Sequence, residues 1–344
     1  MSDTRYLLLA EGFSADVHYG KTARGVLRYR RDDVVVILDS TRAGEADDGV
    51  PIVARVDEAL AYAPNTALVG VATQGGRFPP AWIEILRQCI EARIDVENGL
   101  HVFLNDDSEL RGLADANGVE LRDLRRPPAD LSTATGEVFD VPGTIVLTVG
   151  SDCAIGKMTV SLELDLEARR RGEKSIFVPT GQTGIAIAGW GIAVDAVVAD
   201  FIAGAAERLV VEGSRRGGEL IWVEGQGAIL HPVYSGVTVG LYHGSAPHLL
   251  VLCHQSGLTE TEGAGGGPHP IPPLRELVAL HERMALPKRP ARVAAIALNT
   301  RSLDEDGARR AIAEAEAETG LPADDPVRFG AGRLVDAVLA ARKG

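Results

Sequence analysis

Runs of consecutive apolar, β-branched residues alternate along the chain with stretches whose apolar residues recur at helical spacing. That alternation is the pattern of a parallel α/β architecture. In the first part, DVVVIL (Asp33–Leu38) reads as a buried strand closed by Asp39, and ALVGV (Ala67–Val71) as a second, followed by a turn over Ala72–Gly76. PAWIEILRQCIEAR (Pro80–Arg93) has helical spacing, and Val102–Leu104 predicts another short strand. The arrangement is Rossmann-like, but no GxGxxG follows the first of these strands, so no dinucleotide is assigned.

RRPPADLSTATGEVFDVPG (Arg125–Gly143) is rich in Pro, Gly and polar residues and predicts an inter-domain linker. It divides the chain into a Rossmann-like domain over residues 1–135 and a second domain over residues 136–344. The second domain reads as strand Thr144–Thr148, helix Lys157–Arg171, strand Lys174–Val178, helix Asp200–Glu212 and strands Glu219–Val223, Leu249–Cys253 and Arg292–Leu298. Ala331–Arg342 closes the chain as a helix, and Gly263–Pro273 is a flexible loop suited to a lid or a subunit contact. The expected fold class is α/β, a Rossmann-like N-terminal domain followed by a P-loop NTPase-like parallel sheet.

At 344 residues the chain is long enough for two ordinary cores. Its net charge of −13 disfavours a general nucleic-acid partner and leaves room only for a local basic pocket. Cys89, Cys153 and Cys253 are widely spaced with no CxxC pair, which argues against a structural zinc site or a disulfide framework and suits a reducing cytoplasm. MSDTRYLLLAEG has too short an apolar run for a signal peptide, and no stretch reaches membrane-spanning length. No membrane partner is expected.

The sharpest signal is GSDCAIGKMT (Gly150–Thr159), between a predicted strand and a predicted helix. Backbone N–H groups in such a turn and at the helix N-terminus point at an anion, and Lys157 adds a full charge. Five residues separate Gly150 from Gly156, one more than in the common Walker A pattern. This longer spacing, with Ser151-Asp152 after the first glycine, resembles the loops of dethiobiotin synthetase and its relatives. Met158 stands where a hydroxyl would ligate Mg²⁺, and a thioether is a poor ligand for that hard cation. Thr159 is rotated by one helical step and cannot simply substitute, though it can donate to a phosphate oxygen. Gly150, Ser151, Asp152, Cys153, Ala154, Ile155, Gly156, Lys157, Met158 and Thr159 are therefore expected to hold a cofactor whose phosphates are handles, such as coenzyme A. No metal ligands are assigned. Cys153 reads as a small loop residue, since no histidine stands beside it in sequence.

Further candidates lie at the carboxyl ends of strands, where open parallel sheets build their crevices. PTGQTG (Pro179–Gly184) offers Thr180, Gln182 and Thr183 to a small substrate. IWVEGQGAILH (Ile221–His231) delivers Glu224 into glycines at a Walker B-like position, with no evident packing purpose. Glu224, Gln226 and His231 are the candidate catalytic residues, because an imidazole titrates near neutrality and a carboxylate can take an ammonium proton. His243, His254, Asn299 and Arg301 are candidate pocket residues, and Arg169–Arg171 suits a helix C-terminus.

GSDCAIGKMT, PTGQTG, DFIAGAAERLV, VEGQGAILHP and HGSAPHLLVLCH together, with KTARGVLRY, VVVILDSTRAG and GVATQGGRFPP, resemble the DgcN family of D-glutamate N-acetyltransferases. The resemblance covers most of the chain. It implies a Rossmann-like N-terminal domain, a P-loop C-terminal domain, and acetyl transfer from acetyl-CoA to a D-amino acid such as D-glutamate, in D-amino-acid catabolism. It carries Gly150, Gly156, Lys157 and Thr159 over to the cofactor's phosphates. A cytoplasmic homo-oligomer is expected. The rival readings are an ATP- and Mg-dependent ligase or kinase of the dethiobiotin synthetase type, and a non-catalytic nucleotide-binding protein.

Overall fold

The computed structural model describes residues 4–16, 19–72, 78, 81–261 and 267–343. Most of the turn Ala72–Gly76, the start of the helix placed at Pro80 and the first part of the loop Gly263–Pro273 lie outside the described residues. Two compact units emerge, Met1–Pro127 with Gln182–Ala196, and Pro128–Gly181 with Val197–Gly344.

The first unit is built on β1 (Tyr6–Leu9), β2 (Val34–Leu38), β3 (Ala46–Asp47), β4 (Val50–Val53), β5 (Thr66–Val69), β6 (Asp95–Asn98) and β7 (Leu121–Asp123). Their order is β3-β4-β2-β1-β5-β6-β7, all parallel except the β3–β4 pair. The six parallel strands run outward from β1 in both directions, the doubly wound Rossmann order. Helices α1 (Lys21–Tyr29), α2 (Val56–Ala59), α3 (Trp82–Glu91) and α4 (Ser108–Asn117) accompany them. Asp107 caps α4 through the amides of Glu109 and Leu110, and Gly118 ends it in the left-handed region at φ 67°.

Two differences from the sequence expectation have physical causes. Val102–Leu104 is not a strand; the strand lies earlier, at β6, disguised by Asp95, Glu97 and Asn98. Its buried Glu97 accepts from Tyr6 Oη at 3.1 Å and pairs with Arg122, while Asn98 Nδ2 donates to the Val102 carbonyl and to Asp123, each at 2.8 Å. Asp39, at the end of β2, stands where a Rossmann dinucleotide site keeps its ribose-binding acid. Here Oδ1 accepts from Gly12 N and Thr41 N, and Oδ2 from Ser14 N, each at 3.0 Å. The carboxylate thus clasps the loop after β1 and is only 1% exposed.

The second unit contains β8 (Thr144–Gly150), α5 (Lys157–Arg170) and β9 (Ser175–Val178), after which the chain contributes α6 (Gln182–Ala188) to the first unit. It continues with α7 (Ile202–Arg215), β10 (Leu220–Val223), α8 (Ser235–Ser245), β11 (Leu249–Gln255), α9 (Leu274–Arg283), β12 (Arg292–Asn299), α10 (Glu305–Thr319), β13 (Ala323–Asp324) and α11 (Gly332–Lys343). The strand order is β13-β12-β11-β8-β10-β9, parallel throughout. β8, β10 and the first five residues of β11 are wholly buried, as their unbroken apolar runs demand.

Residues 128–143 pack into this unit rather than spanning freely between two. Glu207, buried on α7, accepts from Thr135 N at 2.6 Å and Gly136 N at 2.7 Å. Arg289 donates to the Val138 and Phe139 carbonyls. Gly204 lets the segment approach, since a Cβ there would lie 1.9 Å from the Ser132 oxygen. Proline and glycine mark the segment correctly as irregular, but its backbone polar groups are satisfied by this docking.

Candidate active site

β10 lies between β8 and β9, with Val223 paired to Leu147 on one side and Val178 on the other. Glu224, the next residue, therefore emerges between the glycine-rich loop and Thr180. Its Oε2 accepts from Thr180 N at 2.8 Å and Gly181 N at 3.2 Å, and Thr180 Oγ1 donates to the Glu224 carbonyl at 2.7 Å. Glu224 thus does have a structural task, clasping the turn after β9. Gly181 leaves room for Gln226, since a Cβ there would lie 2.4 Å from Gln226 Nε2 and the side chain would have to shift. Gln226 Nε2 faces Thr180 Oγ1 at 3.3 Å and Glu224 Oε1 at 3.5 Å.

The glycine-rich loop runs from Ser151 to Gly156, and α5 starts at Lys157. Gly156 sits at φ 111°, which a side chain rarely tolerates, and no side chain caps the helix. The first N–H groups of α5 thus keep the anion-binding character of a helix N-terminus. Ser151 N donates to the Cys253 carbonyl, Ser151 Oγ meets His254 Nδ1 at 2.9 Å, and Asn299 Nδ2 donates to the Ile155 carbonyl at 3.3 Å. Strand-end residues from β11 and β12 therefore hold the loop.

Lys157 is buried and folds back to donate from Nζ to the Asp152 carbonyl at 2.7 Å. Burial pushes its ammonium below the usual lysine value, while Cys153, Cys253, Asp152 and Glu224 pull the other way. Its stem lies against the glycines of both neighbouring loops: a Cβ on Gly150 would meet Lys157 Nζ at 3.3 Å, and one on Gly225 would meet Cδ at 3.0 Å. Lys157 and Glu224 occupy one neighbourhood.

His231 joins it. The Asp152 carboxylate, the Cys153 sulfur and a His231 ring nitrogen lie within 4.8 Å of one another, the one such three-donor set among the described residues. The pairing has no local signal, because Cys153 and His231 are far apart along the chain. Val233 N donates to His231 Nδ1 at 3.2 Å, which places the neutral ring's proton on Nε2. His231 is 2% exposed, and its ring packs 4.8 Å from that of Tyr234.

The other candidates are placed differently. Gln182 and Thr183 begin α6 in the first unit rather than extending a turn; Arg125 donates to Gln182 Oε1 at 2.7 Å, and Thr183 Oγ1 pairs with Thr22 Oγ1 at 2.8 Å. Met158 and Thr159 lie in the first turn of α5. His243 is on α8 and contacts the Met284 carbonyl at 2.9 Å. Arg301 is exposed, and Arg170 and Arg171 pair with Glu167. Burial pushes the Cys253 thiol up to about 12 despite Lys157. No described helix is long and apolar enough to cross a membrane.

Comparison with known proteins agrees with both halves of the fold. Residues 39–127 match a "DUF1611_N Rossmann-like domain" and residues 132–335 a "DUF1611_C P-loop domain". A protein of Tritonibacter scottomollicae named D-glutamate N-acetyltransferase is 39% identical over 99% of this chain and 100% of its own. A second of that name, from a Pseudoalteromonas species, is 35% identical over 82% of each. The crystal structure of a DUF1611 family protein from Anabaena variabilis superposes with a TM-score of 0.91 at 41% identity, covering 98% of this chain and 100% of that one. With a glycine-rich loop, a buried lysine and a strand-end glutamate set on these two folds, the chain belongs to the DUF1611 family.

Proposed function

We propose that this protein transfers acetyl from acetyl-CoA to the amino group of a D-amino acid, with D-glutamate the acceptor. The observation that carries the reading is end-to-end similarity to a relative of that name, at 39% identity across the whole of both chains. Three cysteines without a disulfide support a reducing, cytoplasmic setting.

Acetyl transfer needs a neutral amine, a polarised carbonyl and donors for a tetrahedral oxyanion. Because the long pantetheine arm separates coenzyme A's diphosphate from its thioester, one cluster cannot hold both ends of the same molecule. Lys157 lies beside Glu224, so the Gly150–Thr159 loop serves the reacting end. Its N–H groups and Lys157 hold the thioester oxygen as it becomes an oxyanion, with the His231 Nε2 proton as a further donor. Glu224 Oε1, which faces Gln226, takes the ammonium proton, and Oε2 stays with the amides of Thr180 and Gly181. Met158 in the loop is no obstacle, since this chemistry needs no Mg²⁺.

The test is a panel of D- and L-amino acids with acetyl-CoA, read by free-thiol release and by mass of the N-acetyl product. Product from D-glutamate in preference to L-glutamate is expected. Thiol release without an N-acetylated D-amino acid would sink the proposal.

A further inference from the structure

We propose that Cys153 carries the acetyl group as a thioester between acetyl-CoA and the amine. This rests on the acetyltransferase reading and specifies its route, a double displacement through the enzyme. The sulfur lies in one cluster with the Asp152 carboxylate and a His231 ring nitrogen, all within 4.8 Å. Lys157 is its neighbour: burial lowers the ammonium's pKa, and Cys153 is foremost among the groups that oppose that shift. Cys153 also lies in the loop that leads directly into the 14-residue helix α5. An adjacent cation, an imidazole and a helix N-terminus in the following residues are surroundings in which a thiolate acts as nucleophile. The loop N–H groups that suit a phosphate suit the oxyanion of a tetrahedral thioester adduct equally well.

A three-donor set of Asp, Cys and His also has the make-up of a zinc site. Two features favour the nucleophile. The Lys157 ammonium lies against the cluster and opposes a divalent cation, and Asp152 Oδ1 already accepts from Cys153 N at 2.7 Å. The other two cysteines are wholly buried, and burial pushes each thiol up to about 12, so neither competes for the acyl group.

The steps balance. Cys153 loses its proton to solvent, and the thiolate attacks the acetyl carbonyl, forming a C–S bond and an oxyanion. That adduct collapses with cleavage of the C–S bond to coenzyme A, whose thiolate takes a proton from solvent as it departs. The acceptor ammonium then gives a proton to Glu224, and the amine nitrogen attacks the acetyl-Cys153 carbonyl. The C–S bond to Cys153 breaks and its sulfur regains a proton from solvent, while Glu224, having passed its first proton to solvent, takes the nitrogen's second surplus proton and releases it likewise. One acetyl group moves and one proton is released overall.

The test uses the full-length protein with acetyl-CoA and isotopically labelled coenzyme A, without acceptor. Label exchange into acetyl-CoA is expected for the wild type, together with a one-acetyl mass increase on the peptide containing Cys153 after acid quench. C153S should lower both exchange and overall transfer by on the order of 10³-fold or more while melting within a few degrees of wild type. C153A serves as the second variant if serine disturbs the loop. Wild-type transfer rates in either variant would overturn the proposal. So would acetyl transfer without exchange, or one zinc per chain that is lost in both variants. Exchange without any N-acetylated product would fault the acceptor assignment and leave the thioester step supported.

Discussion

Glu224 is placed to do two things, and substitution can separate them. Its Oε2 accepts from the buried amides of Thr180 and Gly181, and its carboxylate is the proposed base. In E224Q the new carbonyl oxygen can keep both amides, so two charge-assisted bonds become neutral ones. That costs about 1 kcal/mol each, roughly 2 kcal/mol in all, partly offset by no longer burying a charge. In E224A both amides lose their acceptor, at about 1–3 kcal/mol each, or roughly 2–6 kcal/mol together. At about 2–4 °C per kcal/mol for a unit of this size, E224Q melts within about 8 °C of wild type, and E224A falls by roughly 4–24 °C. Loss of a positioned base lowers kcat by about 10²–10⁴-fold. The assays are calorimetric melting, amine acetylation and acceptor-free coenzyme A exchange on the same preparations. E224Q should lose amine acetylation, melt within about 8 °C of wild type and retain exchange, which involves no amine. Wild-type kcat in E224Q would refute the base assignment. A loss in E224Q that merely tracks its melting temperature would reduce Glu224 to the clasp.

Other consequences are independent of the catalytic assignment. His248 is half-buried, and its Nδ1 accepts from Ile145 N at 3.1 Å. Burial, with Arg289 adding to it, lowers its pKa from 6.5 to about 4. The unfolded chain therefore binds more protons across that window, and stability falls as pH drops from 6.5 towards 4. After discounting for solvent screening the loss is about 1–2 kcal/mol, and urea titrations should find it reduced in H248Q. G225A places a Cβ 1.8 Å from the Thr148 oxygen and should cost about 3 kcal/mol or more, or prevent folding. G112A, in α4 with open space around it, should be neutral or gain up to about 1 kcal/mol, and chemical denaturation of the two compares them directly. D39N sets an amide NH₂ against backbone donors of the β1 and β2 loops and should cost about 1–3 kcal/mol, read by the same titration.

The second unit was largely legible because its strands are unbroken apolar runs and its loop obeys a local recipe of strand, glycines, lysine and helix. Each of those signals is local in sequence. β6 was not legible, because Glu97 and Asn98 carry buried polar contacts on a strand expected to be apolar. α6 has little signal in PTGQTG, because Gly181 precedes the helix and Gly184, a buried position within it, is a poor helix former. The four-residue β1 was too short to separate from a chain end. Within the candidate site, the place of Glu224 at a strand end was legible. The nearness of Cys153 to His231 was not, since it arises only when the parallel order β8-β10 sets two distant loops side by side.

That order also decides what kind of P-loop this is. Backbone N–H groups, a helix N-terminus and a lysine attract negative charge without regard to whether it belongs to a phosphate, a carboxylate or an oxyanion. Specificity must come from what stands around them. In a phosphoryl-transfer site the residue after the lysine ligates Mg²⁺ and the strand-end acid holds that ion's water. Here the residue after the lysine is Met158, and the strand-end acid spends one oxygen on the amides of Thr180 and Gly181. The residue after the lysine thus offers no oxygen ligand and one oxygen of the acid is taken, while the Cys153 sulfur, the Asp152 carboxylate and a His231 ring nitrogen cluster at the loop. A thioester carbonyl and an amine can use all of these groups. A nucleotide's phosphates could use only the loop.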